Sequence, residues 1–193
     1  MEDMEHDLRK PPALLTPEQC LLVIIDMQQK LVPVMDDQER LVANVSRLAR
    51  FARIMNLPVV VSEQKNLGPT IEEIASVLPH ATTPVEKITF DCFACGPFQE
   101  KLWEQQKPVL VFAGIESHIC VAQTALSALV GHEVHVISDA VASRYLPNRE
   151  VALRRLEQAG AVISSTEMFM YELLGQAGTE EFRAVLPLVK EEP

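Results

Sequence analysis

The sequence predicts an α/β fold, a three-layer α/β/α sandwich around a central six-stranded parallel sheet. Strand-length apolar runs such as Cys20 to Ile25 lack the polar alternation of a half-exposed strand, as expected where both faces of a sheet are covered. Segments with apolar residues at helical spacing lie between those runs. The two kinds alternate along the chain, which calls for crossover connections and therefore parallel pairing.

Each element has its own local signal. Cys20 to Ile25 reads as the first strand. Leu41, Val45, Leu48, Ala52 and Met55 fall on one face of an amphipathic helix. Pro58 to Val61 is a second, β-branched strand. Gly68-Pro69-Thr70 marks a loop, followed by a short helical segment near Ile71 to Val77. Val85 to Phe90 is a third strand, and Phe98 to Gln106 a helix with Pro97 at its start. Val109 to Ala113 is a fourth strand, ended by Gly114, and the next helix carries Cys120 in its first turn. Glu133 to Ser138 is a fifth strand, and Asn148 to Ala159 is a helix stopped by Gly160. Ala161 to Ser164 is a sixth strand, and helices near Glu167 to Leu174 and Glu180 to Val189 close the chain. The chain divides into an N-terminal extension, 1–16, and one domain, 17–193.

Composition narrows the function. The chain has 193 residues and a formal net charge of −10, with no cluster of Lys or Arg. Nucleic-acid binding needs a basic face, so a polyanionic partner is not expected. No apolar run reaches membrane-spanning length, and no membrane association is expected. The acidic start Met-Glu-Asp-Met-Glu-His-Asp lacks the parts of a signal peptide, which predicts a cytoplasmic protein. No Gly-rich phosphate cradle follows any strand, so nucleotide cofactors are not expected.

In open parallel sheets, ligands bind past the carboxyl ends of the strands, where strand order reverses. With the order 3-2-1-4-5-6, strands 1 and 4 are neighbours at that point. Asp26 ends strand 1 and Cys120 follows strand 4, so both face one crevice. A thiol in a first helical turn meets unpaired N–H groups and the helix dipole, which should lower its pKa and make it a nucleophile. The alternative is a small buried cysteine packed under a helix. Asp26 is either a base beside that thiol or a turn cap. Lys87 is either an edge lysine reaching solvent or a buried cation paired to a carboxylate. The Gly114-Ile115-Glu116 turn is placed to aim backbone N–H groups at one point, as an oxyanion hole does. Cys92-Phe-Ala-Cys95 has dithiol spacing, but Gly96-Pro97 starts the next helix after both thiols. No second ligand pair completes a zinc site. His118 is a candidate for the site lining; His132 and His135 read as structural.

Taken together, these residues resemble the isochorismatase-like cysteine hydrolases, in the branch of isochorismatase domain-containing proteins related to YcaC. The resemblance rests on Leu22-Val-Ile-Ile-Asp-Met-Gln28, Lys87, and Gly114-Ile-Glu-Ser-His-Ile-Cys-Val121 with Thr124. It extends through Ser62-Glu-Gln-Lys-Asn-Leu-Gly-Pro-Thr70, Val136-Ile-Ser-Asp-Ala-Val-Ala-Ser-Arg144 and Ala161-Val-Ile-Ser-Ser-Thr-Glu167. It implies a Rossmann-like fold and a triad of Asp26, Lys87 and Cys120. It implies an oxyanion hole from the N–H groups of Glu116 and Cys120, beside a cis Ile115–Glu116 peptide. It also implies a thioester intermediate, a small-molecule substrate and a homo-oligomer. Gln64, Phe90 and His118 are candidates for substrate binding by their closeness to these motifs. Nicotinamidases of this superfamily carry an Asp-x-His metal motif after strand 2, where this chain has Ser62-Glu63-Gln64. No metal and no cofactor are therefore expected, and the resemblance points to hydrolysis of a small amide or related C–N bond. A thiol-redox sensor using Cys92 and Cys95, and a non-catalytic binding scaffold, are the alternatives.

Overall fold

A computed structural model describes residues 14–80 and 82–191. Six strands, β1 (Cys20–Ile25), β2 (Val59–Gln64), β3 (Val85–Lys87), β4 (Val109–Ile115), β5 (Glu133–Ala142) and β6 (Val162–Ser164), form one sheet. Its order is β3-β2-β1-β4-β5-β6, the order read from the sequence. Every pairing is parallel. The helices are α1 (Gln38–Met55), α2 (Glu72–Ala75), α3 (Gly96–Gln105), α4 (Ala122–Ala128), α5 (Leu146–Gln158), α6 (Thr166–Leu174) and α7 (Glu180–Val189). Among the described residues, no helix is long and apolar enough to cross a membrane.

Strand periodicity sorts the core into two halves. Leu22 and Ile24 of β1, with Val109, Val111, Ala113 and Ile115 of β4, face α1, α6 and α7. Leu21, Val23 and Ile25, with Leu110 and Phe112, face the side covered by α3, α4 and α5. That is why β1 and β4 are apolar at every position: both faces are dry. On α1, the predicted positions Leu41, Val45, Leu48 and Ala52 are buried, and Met55 is partly buried. Phe51 packs edge-on against Phe169 of α6, with ring centres 6.0 Å apart.

Several boundaries differ from the sequence reading. β3 stops at Lys87, and Ile88 and Phe90 lie outside it with exposed side chains. β2 runs on to Gln64 because Ser62 and Gln64 pair with Val85 and Lys87. β5 continues to Ala142 through an irregularity in its pairing with β4. Neither extension has a local signal, because each is held by its neighbour strand. Residues 1–13 of the expected extension lie outside the described residues; Leu15 is buried, and its N–H donates to Glu172 Oε1.

Gly114 permits the closest approach of β4 to β1. Its φ is +113°, and a Cβ there would sit 2.1 Å from the Ile25 carbonyl oxygen, which belongs to backbone and cannot give way. We expect Gly114→Ala to destabilise the fold by about 3 kcal/mol or more. An unchanged midpoint in urea unfolding would refute this.

Burial pushes the Cys20 thiol up to about 12 from 9.0, helped by the nearby Glu172 carboxylate. The folded chain therefore holds a proton that the unfolded chain releases at lower pH. This stability is fully present below about pH 9 and is withdrawn as pH rises towards 12. The expected slope from this one thiol is about 1 kcal/mol per pH unit. Cys20→Ala should flatten the alkaline arm of a stability–pH curve measured by urea titration; an identical arm would contradict the assignment.

Candidate active site

The site lies where strand order reverses, between the carboxyl ends of β1 and β4. Asp26 follows β1 in a left-handed conformation, with φ +53° and no solvent exposure. Lys87 closes β3, and its side chain is wholly buried, as is that of Asp26. The Lys87 ammonium donates to Asp26 Oδ2 at 2.7 Å, to Gln64 Oε1 at 2.8 Å and to Cys120 Sγ at 3.7 Å. An ammonium has three N–H groups, so each has an acceptor. Of the two readings of Lys87, the buried paired cation is the one found. The other carboxylate oxygen, Asp26 Oδ1, accepts from the Ser62 hydroxyl at 2.7 Å.

Cys120 is 7% exposed. It does not sit in the first turn of an α-helix. Residues Ser117–Val121 form a π-helical turn, in which the Val121 N–H reaches back to the Glu116 carbonyl, and α4 begins only at Ala122. The expected lowering of its pKa is also reversed. Burial first, and then the Asp26 carboxylate, push the Cys120 thiol up to about 12, while Lys87 works in the opposite direction. Desolvation outweighs the Lys87 charge. Burial disfavours the Lys87 charge as well, but the Asp26 carboxylate and the Cys120 thiol outweigh it and hold the ammonium above its ordinary value.

The peptide bond between Ile115 and Glu116 is cis. The Glu116 carboxylate is buried, and it accepts from the Arg144 N–H at 3.0 Å and from Arg144 Nε at 3.2 Å. This clamp ties the turn after β4 to the end of β5. His118 is bound by its two ring nitrogens, Nδ1 to the Ser143 hydroxyl at 2.9 Å and Nε2 to the Asn148 amide at 3.4 Å. Gln28 is structural: its carboxamide bonds the N–H and carbonyl of Gln64 and the Gly68 carbonyl. The Thr124 hydroxyl accepts from the Cys92 N–H at 3.0 Å, which fastens the segment after β3 to α4.

Of the residues named from sequence, one hydrogen-bonded cluster therefore unites Asp26, Lys87, Gln64 and Cys120. Phe90 and His118 lie outside it; Phe90 is 54% exposed on the loop after β3. Ser62 was missed. Its signal was its place two residues before Gln64, on the same face of β2.

The arrangement joins a buried carboxylate and a buried thiol through one ammonium. Such a set can transfer the thiol proton to the carboxylate while the sulfur attacks an electrophile. The Isochorismatase domain family matches residues 20–168. Isochorismatase domain-containing protein 2 of Bos taurus is 35% identical over 189 residues, covering 93% of this chain and 88% of that protein. MAR1 ribonuclease from Caenorhabditis elegans superposes with a TM-score of 0.86 at 31% identity, with 93% of each chain covered. YcaC from Pseudomonas aeruginosa, solved with hexane-2,5-diol and covalent acrylamide, gives 0.84 at 26% identity over 90% of each chain. By the extent of these matches, and by the fold they share, this chain belongs to the isochorismatase domain family.

Proposed function

We propose that this protein is a metal-independent cysteine hydrolase that cleaves a small amide or related C–N bond. The observation that carries the reading is the buried Lys87 ammonium, bonded at once to Asp26 Oδ2 and Cys120 Sγ. A thiol held near 12 is protonated at neutral pH, so the reaction needs a base in contact with it.

In the proposed cycle, Asp26 takes the Cys120 proton as Sγ attacks the carbonyl carbon. The carbonyl π electrons move to oxygen, and the backbone N–H groups of Glu116 and Cys120 bind the resulting oxyanion. The C–N bond then breaks, and Asp26 returns the proton to the leaving nitrogen, giving a thioester on Cys120. Asp26 next takes a proton from water as its oxygen attacks the thioester. Collapse releases the acid, and the proton returns to sulfur. Throughout, the Lys87 charge steadies whichever of Asp26 and Cys120 is anionic. No cofactor enters this scheme. Ser62 and Gln64, where metal-binding relatives have ligands, are bonded to Asp26 and Lys87 instead.

The same reading takes a small-molecule substrate, a homo-oligomer and a cytoplasmic location. Exposed Trp103 and Tyr145 are apolar surface that an assembly would cover, and four free cysteines suit a reducing compartment. The ribonuclease name of the C. elegans neighbour is not carried over, because a net charge of −10 opposes a polyanionic substrate. The dithiol alternative is weakened by Cys92, which is buried and whose thiol is pushed up to about 11, first by desolvation.

On a panel of small amides read by ammonia release, the wild-type protein should turn over at least one member. Asp26→Asn and Cys120→Ala should each lose about 10³-fold or more while keeping a native circular dichroism spectrum. Full activity in either folded variant would overturn the reading.

Lys87→Met removes the partner of a fully buried carboxylate. It should cost about 3–5 kcal/mol, because an unpaired buried charge remains. Lys87→Met combined with Asp26→Leu should recover much of that loss in urea unfolding. A single variant as stable as wild type would show that the pair bears no such constraint.

A further inference from the structure

We propose that Ser62 and Gln64 are positioning residues for the acid–base pair, Ser62 aiming the Asp26 carboxylate and Gln64 aiming the Lys87 ammonium. The inference rests on the hydrolase reading of this site and assigns the end of β2 a part in it. Neither residue is asked to touch the substrate.

Strand geometry sets the pattern. Residues two apart on β2 share a face, so Ser62 and Gln64 point the same way and Glu63 points the other. Glu63 serves a different purpose: its carboxylate accepts from the N–H and hydroxyl of Thr70, both at 2.7 Å, and holds the following loop. Register then assigns the partners. Ser62 lies beside Ile25, the residue before Asp26, and Gln64 lies beside Lys87 itself. Each polar residue is thus delivered to one member of the charged pair.

The bonds have consequences for both groups. Asp26 follows the last residue of β1, where nothing in its own strand fixes its torsion. One donor on each oxygen, Ser62 on Oδ1 and Lys87 on Oδ2, fixes the plane of the carboxylate. Each oxygen keeps a second lone pair that can take a proton. On the other side, Gln64 Oε1 takes the third N–H of the ammonium. With Asp26 and Gln64 holding two N–H groups, the remaining one is directed at Cys120 Sγ.

Gln64 is itself held. Its Nε2 donates to the Ile88 carbonyl at 2.9 Å, and its main chain is pinned on both sides by Gln28. Its carboxamide therefore has one orientation, oxygen towards the ammonium. A neutral acceptor orients the cation without adding a second anion to compete with Asp26.

The experiment is alkylation of Cys120 by iodoacetamide in the folded full-length protein from pH 5 to 10, resolved by peptide mass mapping. Ser62→Ala should lower the Cys120 rate about fivefold across this range, and Ser62→Thr, which keeps the hydroxyl, should restore it. Gln64→Met should lower the rate about tenfold. Circular dichroism establishes that each variant is folded. If both variants overlay the wild-type profile while Asp26→Asn abolishes the activation, the positioning roles are refuted and the hydrolase reading survives. If wild-type Cys120 reacts no faster than a thiol of the denatured chain and ignores Asp26→Asn, the hydrolase reading itself fails.

Discussion

The buried contact between the Lys87 ammonium and the Asp26 carboxylate is the constraint around which this site is organised. Two opposite charges with no solvent exposure are costly unless every donor and acceptor finds a partner. The three N–H groups of Lys87 are spent on Asp26, Gln64 and Cys120, and both oxygens of Asp26 are bonded. Little freedom remains for any of these groups. The same dryness that makes the pair demanding governs the thiol. A sulfur beside a carboxylate, away from water, keeps its proton.

The sheet makes that contact possible. Because β1 lies between β2 and β4, three strand ends far apart in sequence bring Asp26, the Ser62–Gln64 pair and the turn to Cys120 to one place. β3 adds Lys87 from the edge through its pairing with β2. The approach of β4 to β1 depends on Gly114, where no side chain fits. Beyond it, the bonds from Arg144 to Glu116 tie the turn carrying the thiol to β5, so the turn is anchored at the end away from α4.

Much of this could be read from sequence, and what could not has a common cause. The six strands and the positions of Asp26 and Cys120 at strand ends follow from apolar runs and their alternation with helices, which are local patterns, while the strand order is the one expected of open parallel sheets. Strand ends set by a neighbour are not local: β2 reaches Gln64 and β3 stops at Lys87 because of how they pair, and Ser62 acquires its bond to Asp26 through that register. The thiol's protonation is the clearest case. Position at the start of a helix argued for a lowered pKa, but the outcome depends on burial and on a carboxylate 94 residues earlier in the chain (120 − 26). Phe90 belongs with these, since the sequence reads it as the end of the third strand, which stops three residues sooner.

The end of β2 also bears on which parts of the site are free to change. Its two inward polar residues are committed to Asp26 and Lys87. The charged groups are then fixed by rigid strand ends and by one another. Phe90 and Tyr145, both on loops beyond strand ends, are exposed, and Arg144, which precedes Tyr145 in the chain, is half-exposed while its Nε is spent on Glu116. Loops of this kind tolerate substitution far better than the buried pair does. The buried charged cluster thus occupies the part of the fold least free to vary, and the exposed loops the part most free to.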